Sequence, residues 1–147
     1  MPGIEYYSRF PGVLRKALLE GKVAFPYSMQ VDYDELCVYR GVKYNSQKTA
    51  IDKSDFLSYM EQDRNPMRPV DDTDISSYSC SCFLNMDEIR VCAKFPRKNK
   101  AIARGIIKKE YGPININTKT SHVDWYLYKE VYPSREFEVV EKWEENG

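Results

Sequence analysis

The chain has 147 residues, a formal net charge of zero, 42% hydrophobic and 30% charged residues. A length like this buries roughly 70% of the unfolded surface, so no disulfide or metal is needed to hold a core. The balanced charge counts against nucleic acid as the main partner, because neutralising phosphates requires a basic excess.

In chain order, apolar residues at helical spacing predict a helix over 13–19, stopped by Gly21. A short extended piece follows at 23–25. Residues 36–42 read as a buried strand after the acidic turn Asp32-Tyr33-Asp34-Glu35. Ser54 or Asp52 can cap a second short helix over 54–60. Residues 63–74, with Pro66, Pro69 and an acidic cluster, read as a loop. Residues 78–83 read as a small-residue strand. Asn85 can cap a helix over 86–93. The basic turn at 96–100 leads into a strand at 101–107, where Gly105 marks a bulge or a close backbone approach. Gly112-Pro113 breaks it, and the polar stretch 115–121 reads as turn. Strands at 122–128 and 137–140 flank a turn at Pro133-Ser134. The expected fold is α+β: one domain over 1–147, a mainly antiparallel twisted sheet with two or three short helices.

Charge is unevenly spread. Lys94, Arg97, Lys98, Lys100, Arg104, Lys108 and Lys109 form a basic strip, and Glu136, Glu138, Glu141, Glu144 and Glu145 an acidic tail. No basic region followed by an apolar core opens the chain, and no apolar run approaches a membrane span, so a cytoplasmic protein without membrane contact is expected. Cys37, Cys80, Cys82 and Cys92 are then expected as free thiols. Cys80-x-Cys82 with His122 lacks the second knuckle of a structural zinc site, so no metal is expected.

His122 is the sole histidine. Two-histidine nuclease and His-rich metal chemistry are therefore excluded. No Gly-x-Ser-x-Gly elbow, phosphate loop or dinucleotide fingerprint is present. In a strand, residues two apart share a face, so His122 and Asp124 project together.

Three stretches follow one another in an informative order. Val38-Tyr39-Arg40-Gly41 ends an early strand with an arginine, Tyr78-Ser79-Cys80-Ser81 places two hydroxyls on one strand face, and His122-Val123-Asp124 places a carboxylate on a late strand. This order resembles the Arg, Ser-x-Ser, Glu-x-Glu pattern of mono-ADP-ribosyltransferases. Those enzymes bind NAD in a split, mainly antiparallel β-fold with helices in front. The resemblance implies NAD as substrate, with Arg40 on its pyrophosphate, Ser79 and Ser81 at the nicotinamide ribose, and His122 beside them. It implies Trp125 or a nearby tyrosine stacked on nicotinamide, and Asp124 steadying the ribosyl cation. The chain departs from the pattern at Ser-Cys-Ser and at His-x-Asp, where an aspartate one methylene shorter replaces glutamate. A literal Glu136-Phe137-Glu138 lies downstream, so Glu138 is the other candidate for the acid. The resemblance leaves the acceptor open between a protein, a nucleic acid and a small molecule, with NAD glycohydrolysis as the variant without one; a protein partner is expected. The competing expectation is a small inhibitor or adaptor of the phage or mobile-element kind. That reading has no chemistry, and the tyrosine-rich surface, acidic loop and basic strip would be its recognition patches.

Overall fold

A computed structural model describes residues 4–62 and 70–142. Pro66, Pro69, Glu144 and Glu145 lie outside the described residues. The fold is α+β. Three short helices, α1 (Ile4–Tyr7), α2 (Gly12–Leu19) and α3 (Met86–Ala93), accompany six strands: β1 (Leu36–Lys43), β2 (Cys80–Phe83), β3 (Lys100–Ile107), β4 (Ile114–Asn117), β5 (His122–Trp125) and β6 (Phe137–Lys142). They form one sheet of order β4-β5-β2-β1-β3-β6, with every pairing antiparallel. Among the described residues, no helix is long and apolar enough to cross a membrane.

The sheet is held unevenly. β1 pairs with β3 along eight residues, from Leu36 opposite Ile107 to Lys43 opposite Lys100. β1 and β2 share a single registered pair, Tyr39 opposite Phe83. The sheet is thus split into two halves, β4-β5-β2 and β1-β3-β6, joined at that point.

Alternation along each strand sorts the side chains. One face carries Val38, Val42, Cys80, Cys82, Ala101, Ala103, Val123 and Trp125, which pack with Phe56 and Phe137 into the main core. Trp125, Phe56 and Phe137 form a triangle of rings: Phe56 is edge-on to Trp125 at 6.5 Å, Phe137 is stacked on it at 6.1 Å, and Phe56 and Phe137 are 4.9 Å apart. The other face carries Phe83 and Ile102, which are covered by Ile89 of α3. A third cluster joins Leu14 and Leu18 of α2 to Tyr78, Tyr126 and Tyr128.

Local chemistry explains the ends of several elements. The Asn85 side chain accepts the amides of Asp87 and Glu88, so it caps α3 as expected. Asp52 makes the matching cap at the second predicted helix, accepting the Ser54 amide at 2.9 Å. Only a 3-10 turn over Lys53–Phe56 results, because Leu57 turns extended. The expected helix over 54–60 is therefore corrected to one turn. The polar stretch 115–121 is corrected as well. Ile114–Asn117 forms β4, with Ile114 buried beneath the edge of the sheet.

Gly105 meets the expectation of a close approach. A Cβ built there falls 2.5 Å from the Phe137 ring, which is itself buried against Trp125 and Phe56. Gly105→Ala is expected to cost about 1–3 kcal/mol, because the ring has no room to retreat. Urea unfolding reads this as a lower midpoint at unchanged slope; an unchanged midpoint would contradict the packing described.

Candidate functional site

The register of β2 and β5 assembles the site. Ser81 is opposite Asp124 and Phe83 is opposite His122. Ser81, His122 and Asp124 therefore share the sheet face that α3 covers elsewhere. Ser79, just before β2, reaches the same group: its Oγ lies 2.9 Å from Asp124 Oδ1. His122 Nε2 lies 2.9 Å from Ser81 Oγ. His122 Nδ1 faces Asp124 Oδ1 at 3.7 Å, beyond hydrogen-bond range, so that contact is an attraction present when the ring is charged. The imidazole also packs against Phe83, with ring centres 5.1 Å apart.

Burial raises the Asp124 carboxyl above its ordinary value, against the opposing pull of His122 and the Ser79 hydrogen bond. The Ser79 hydroxyl adapts to either state. It has one proton and two acceptors in reach, Asp124 Oδ1 and the Ser76 carbonyl at 2.8 Å. When Asp124 is ionised, the proton goes to the carboxylate. When Asp124 is protonated, the carboxyl donates to Ser79, which then donates to Ser76. The cluster can therefore hold an anion or lose it without leaving a hydroxyl unsatisfied.

Hydroxyl, imidazole and carboxylate follow one another from Ser81 to Asp124. Ser81 nevertheless lies inside β2 rather than on a strand-to-helix turn, so the exposed elbow of the serine hydrolases is missing.

Arg40 is not brought to this cluster. Tyr39 faces Phe83, so its neighbour Arg40 points to the opposite face. There its Nε donates to the Asp55 carbonyl at 2.7 Å and its Nη1 to the Ser81 carbonyl at 2.5 Å. The guanidinium bridges the split between β1 and β2 and ties both to the turn at Lys53–Phe56. It does not pair with Asp32, Asp34 or Glu35. Trp125, fully buried, is also on Arg40's face and not beside Asp124. Glu138 lies on β6, three strands beyond β2, where it meets Arg104 at 2.9 Å. Of the residues singled out in the sequence, Ser79, Ser81, His122 and Asp124 converge; Arg40, Trp125 and Glu138 do not.

Asp55 is a functional-looking group that the sequence did not single out. Buried near Arg40's backbone contact, its carboxylate takes Lys48 Nζ at 2.6 Å and the amides of Lys43 and Asp52. A buried acid with this many donors organises the 43–56 loop. Its sequence signal was its place three residues after the cap, Asp52.

The basic strip is partly matched within the chain. Arg104 meets Glu138, Lys108 meets Glu35 at 3.6 Å, and Lys109 meets Asp32 at 3.2 Å. Among the described residues, no group of three or more His, Cys, Asp or Glu side chains is placed to hold a metal ion. Against known protein families, curated proteins and solved structures, the chain gives no significant match.

Proposed function

We propose that the chain is an NAD-consuming protein of the ADP-ribosyltransferase type, in which Asp124 is the carboxylate at the reacting sugar. The observation that carries this reading is the Ser79–Asp124 contact at 2.9 Å, with His122 and Ser81 beside it. A half-buried carboxylate braced by a hydroxyl, on β5 one strand away from the split between β2 and β1, suits a reaction that develops positive charge on a ribose. In that reaction the bond between the ribose carbon and the nicotinamide nitrogen breaks. Nicotinamide leaves with the electron pair. The ribosyl cation is held by the carboxylate until a nucleophile, from a protein acceptor or from water, attacks the carbon and gives up its proton. Ser81 and His122 are the groups available to hydrogen-bond the ribose hydroxyls. In this proposal Arg40 braces the split and makes no pyrophosphate contact, and Trp125 does not stack on nicotinamide.

The test uses purified protein, NAD labelled in the nicotinamide ring and a set of protein acceptors. Release of free nicotinamide above the buffer rate is expected, together with an NAD-dependent rise in melting temperature. Absence of both overturns the proposal.

One observation favours a second reading. Arg40 spends its donors on two backbone carbonyls, so this arrangement lacks the fork that would hold a pyrophosphate. A catalytically silent adaptor or inhibitor that binds a protein would tolerate that loss. It predicts no nicotinamide release and a stable complex with a partner whose affinity falls with salt.

A further inference from the structure

We infer that Ser81 is an activated nucleophile, a site that accepts an acyl or phosphonyl group from an uncharged, activated donor. Three contacts line up behind its hydroxyl. Ser81 Oγ lies 2.9 Å from His122 Nε2. His122 Nδ1 faces Asp124 Oδ1 at 3.7 Å. Ser79 Oγ lies 2.9 Å from that same carboxylate oxygen and holds it. The group is not sealed from solvent: Ser81 is partly exposed, and the His122 side chain is 29% exposed.

The chemistry follows from that order. A carboxylate beside one imidazole nitrogen favours the proton there. Asp124 therefore favours the Nδ1–H form of His122, which leaves the Nε2 lone pair to accept from the Ser81 hydroxyl. When Ser81 Oγ attacks a carbonyl carbon, its proton passes to Nε2 and the ring becomes a cation. The bond from Oγ to carbon forms, the bond from carbon to the leaving alcohol breaks, and the alcohol takes the proton from Nε2. The attraction between His122 and Asp124 is present when the ring is charged, so it acts on the transition state more than on the resting state. A separation of 3.7 Å is loose, as such contacts often are before a substrate binds. The elbow that β2 lacks is what brings backbone amides to the developing oxyanion. Transfer to Ser81 is therefore expected once per chain, leaving a long-lived acyl-serine. Asp124 places negative charge on this face, which disfavours an anionic donor. The inference goes beyond the NAD reading: it uses the same cluster but requires neither NAD nor a ribosyl cation.

The probe is an uncharged alkyl fluorophosphonate. Ser81 Oγ bonds to its phosphorus, fluoride leaves with the electron pair, and the serine proton reaches solvent by way of His122 Nε2. One adduct per chain is expected, placed on Ser81 by peptide mass mapping. His122→Gln keeps a polar side chain of similar size but supplies no base. It is expected to slow labelling at least about a hundredfold, with circular dichroism and melting temperature showing a folded chain. Asp124→Asn keeps the shape of the carboxyl and loses its charge; it is expected to slow labelling at least about tenfold. Absence of an adduct on the unaltered protein overturns the inference, as does an adduct confined to another residue. Labelling of Ser81 at an unchanged rate in folded His122→Gln overturns the activation. If His122→Gln does not fold, the same outcome in Asp124→Asn overturns it. Labelling of Ser81 with no nicotinamide release upholds this inference while the NAD reading fails; nicotinamide release with no labelling sinks this inference alone.

Discussion

Replacing Arg40 with alanine is expected to lower the unfolding free energy by about 3 kcal/mol, one of the two largest effects of any single change considered. Each backbone carbonyl it serves, Asp55 O and Ser81 O, receives a charged donor. Hydrogen bonds of that kind contribute about 1.5–3 kcal/mol each, and both carbonyls lose that partner in the alanine variant. The gain from no longer dehydrating a guanidinium offsets part of the sum. The site of the damage matters as much as its size. β1 and β2 have one registered pair, so the Arg40 side chain is a principal bond across the split. Arg40→Lys keeps the charge but gathers its donors on one nitrogen at the end of a flexible stem and lacks the planar fork, and should recover less than half of the loss. For a chain of this length the alanine variant should melt roughly 10 °C lower. A stability within 0.5 kcal/mol of the unaltered protein would mean that the clamp does not hold the halves together, and would return Arg40 to the list of possible ligand contacts.

The reason Arg40 was expected elsewhere lies in a single residue of register. Period-two alternation fixes which residues of one strand share a face, so His122 with Asp124 was legible, and likewise Ser79 with Ser81. How one strand's faces align with another's depends on the pairing, and a shift of one residue inverts every side chain. The pair Tyr39–Phe83 puts Tyr39 on the His122 face and sends Arg40 to the other. Nothing in the local pattern of 36–43 carries that information. β4 was missed for a related reason. Ile114 and Ile116 alternate with Asn115 and Asn117, but four residues followed by Thr-Lys-Thr-Ser look like turn. What makes them a strand is β5, which pairs with all four. The caps were legible because they act within one turn: Asn85 and Asp52 each bond an amide two residues on. The helix after Asp52 stops early because tertiary packing buries Phe56 at the end of the turn and Ser58 beyond it, on either side of the extended Leu57. The order of Arg, Ser-x-Ser and acid survives as an order in the sequence. In space it divides into a clamp on one face and a carboxylate cluster on the other.

Asp124→Asn distinguishes the two functional readings, because activity and stability should move in different directions. The amide keeps an oxygen for the Ser79 hydroxyl and loses the charge. If Asp124 steadies a ribosyl cation, nicotinamide release should fall at least about a hundredfold, the scale of removing one preorganised electrostatic group. Stability should behave otherwise. Burial raises the folded-state pKa of Asp124 above its ordinary 3.8. A carboxyl raised in the folded state favours folding below its unfolded pKa, and that contribution is lost as pH rises through the folded pKa. Near neutral pH the ionised group is therefore a net cost to the fold, only partly relieved by His122 and Ser79. The asparagine variant should gain stability relative to the unaltered protein as pH rises from about 4 to 7. Parallel urea titrations across that range read the difference directly. A variant that is as stable or more stable at pH 7 and has no turnover would mark Asp124 as a group retained for chemistry at the expense of the fold. A variant that folds normally and binds a protein partner unchanged, from a parent with no turnover, would favour the adaptor. A variant that loses stability at pH 7 but not at pH 4 would reverse the sign argued here, and would mean that His122 and Ser79 outweigh burial and that the cluster serves the fold.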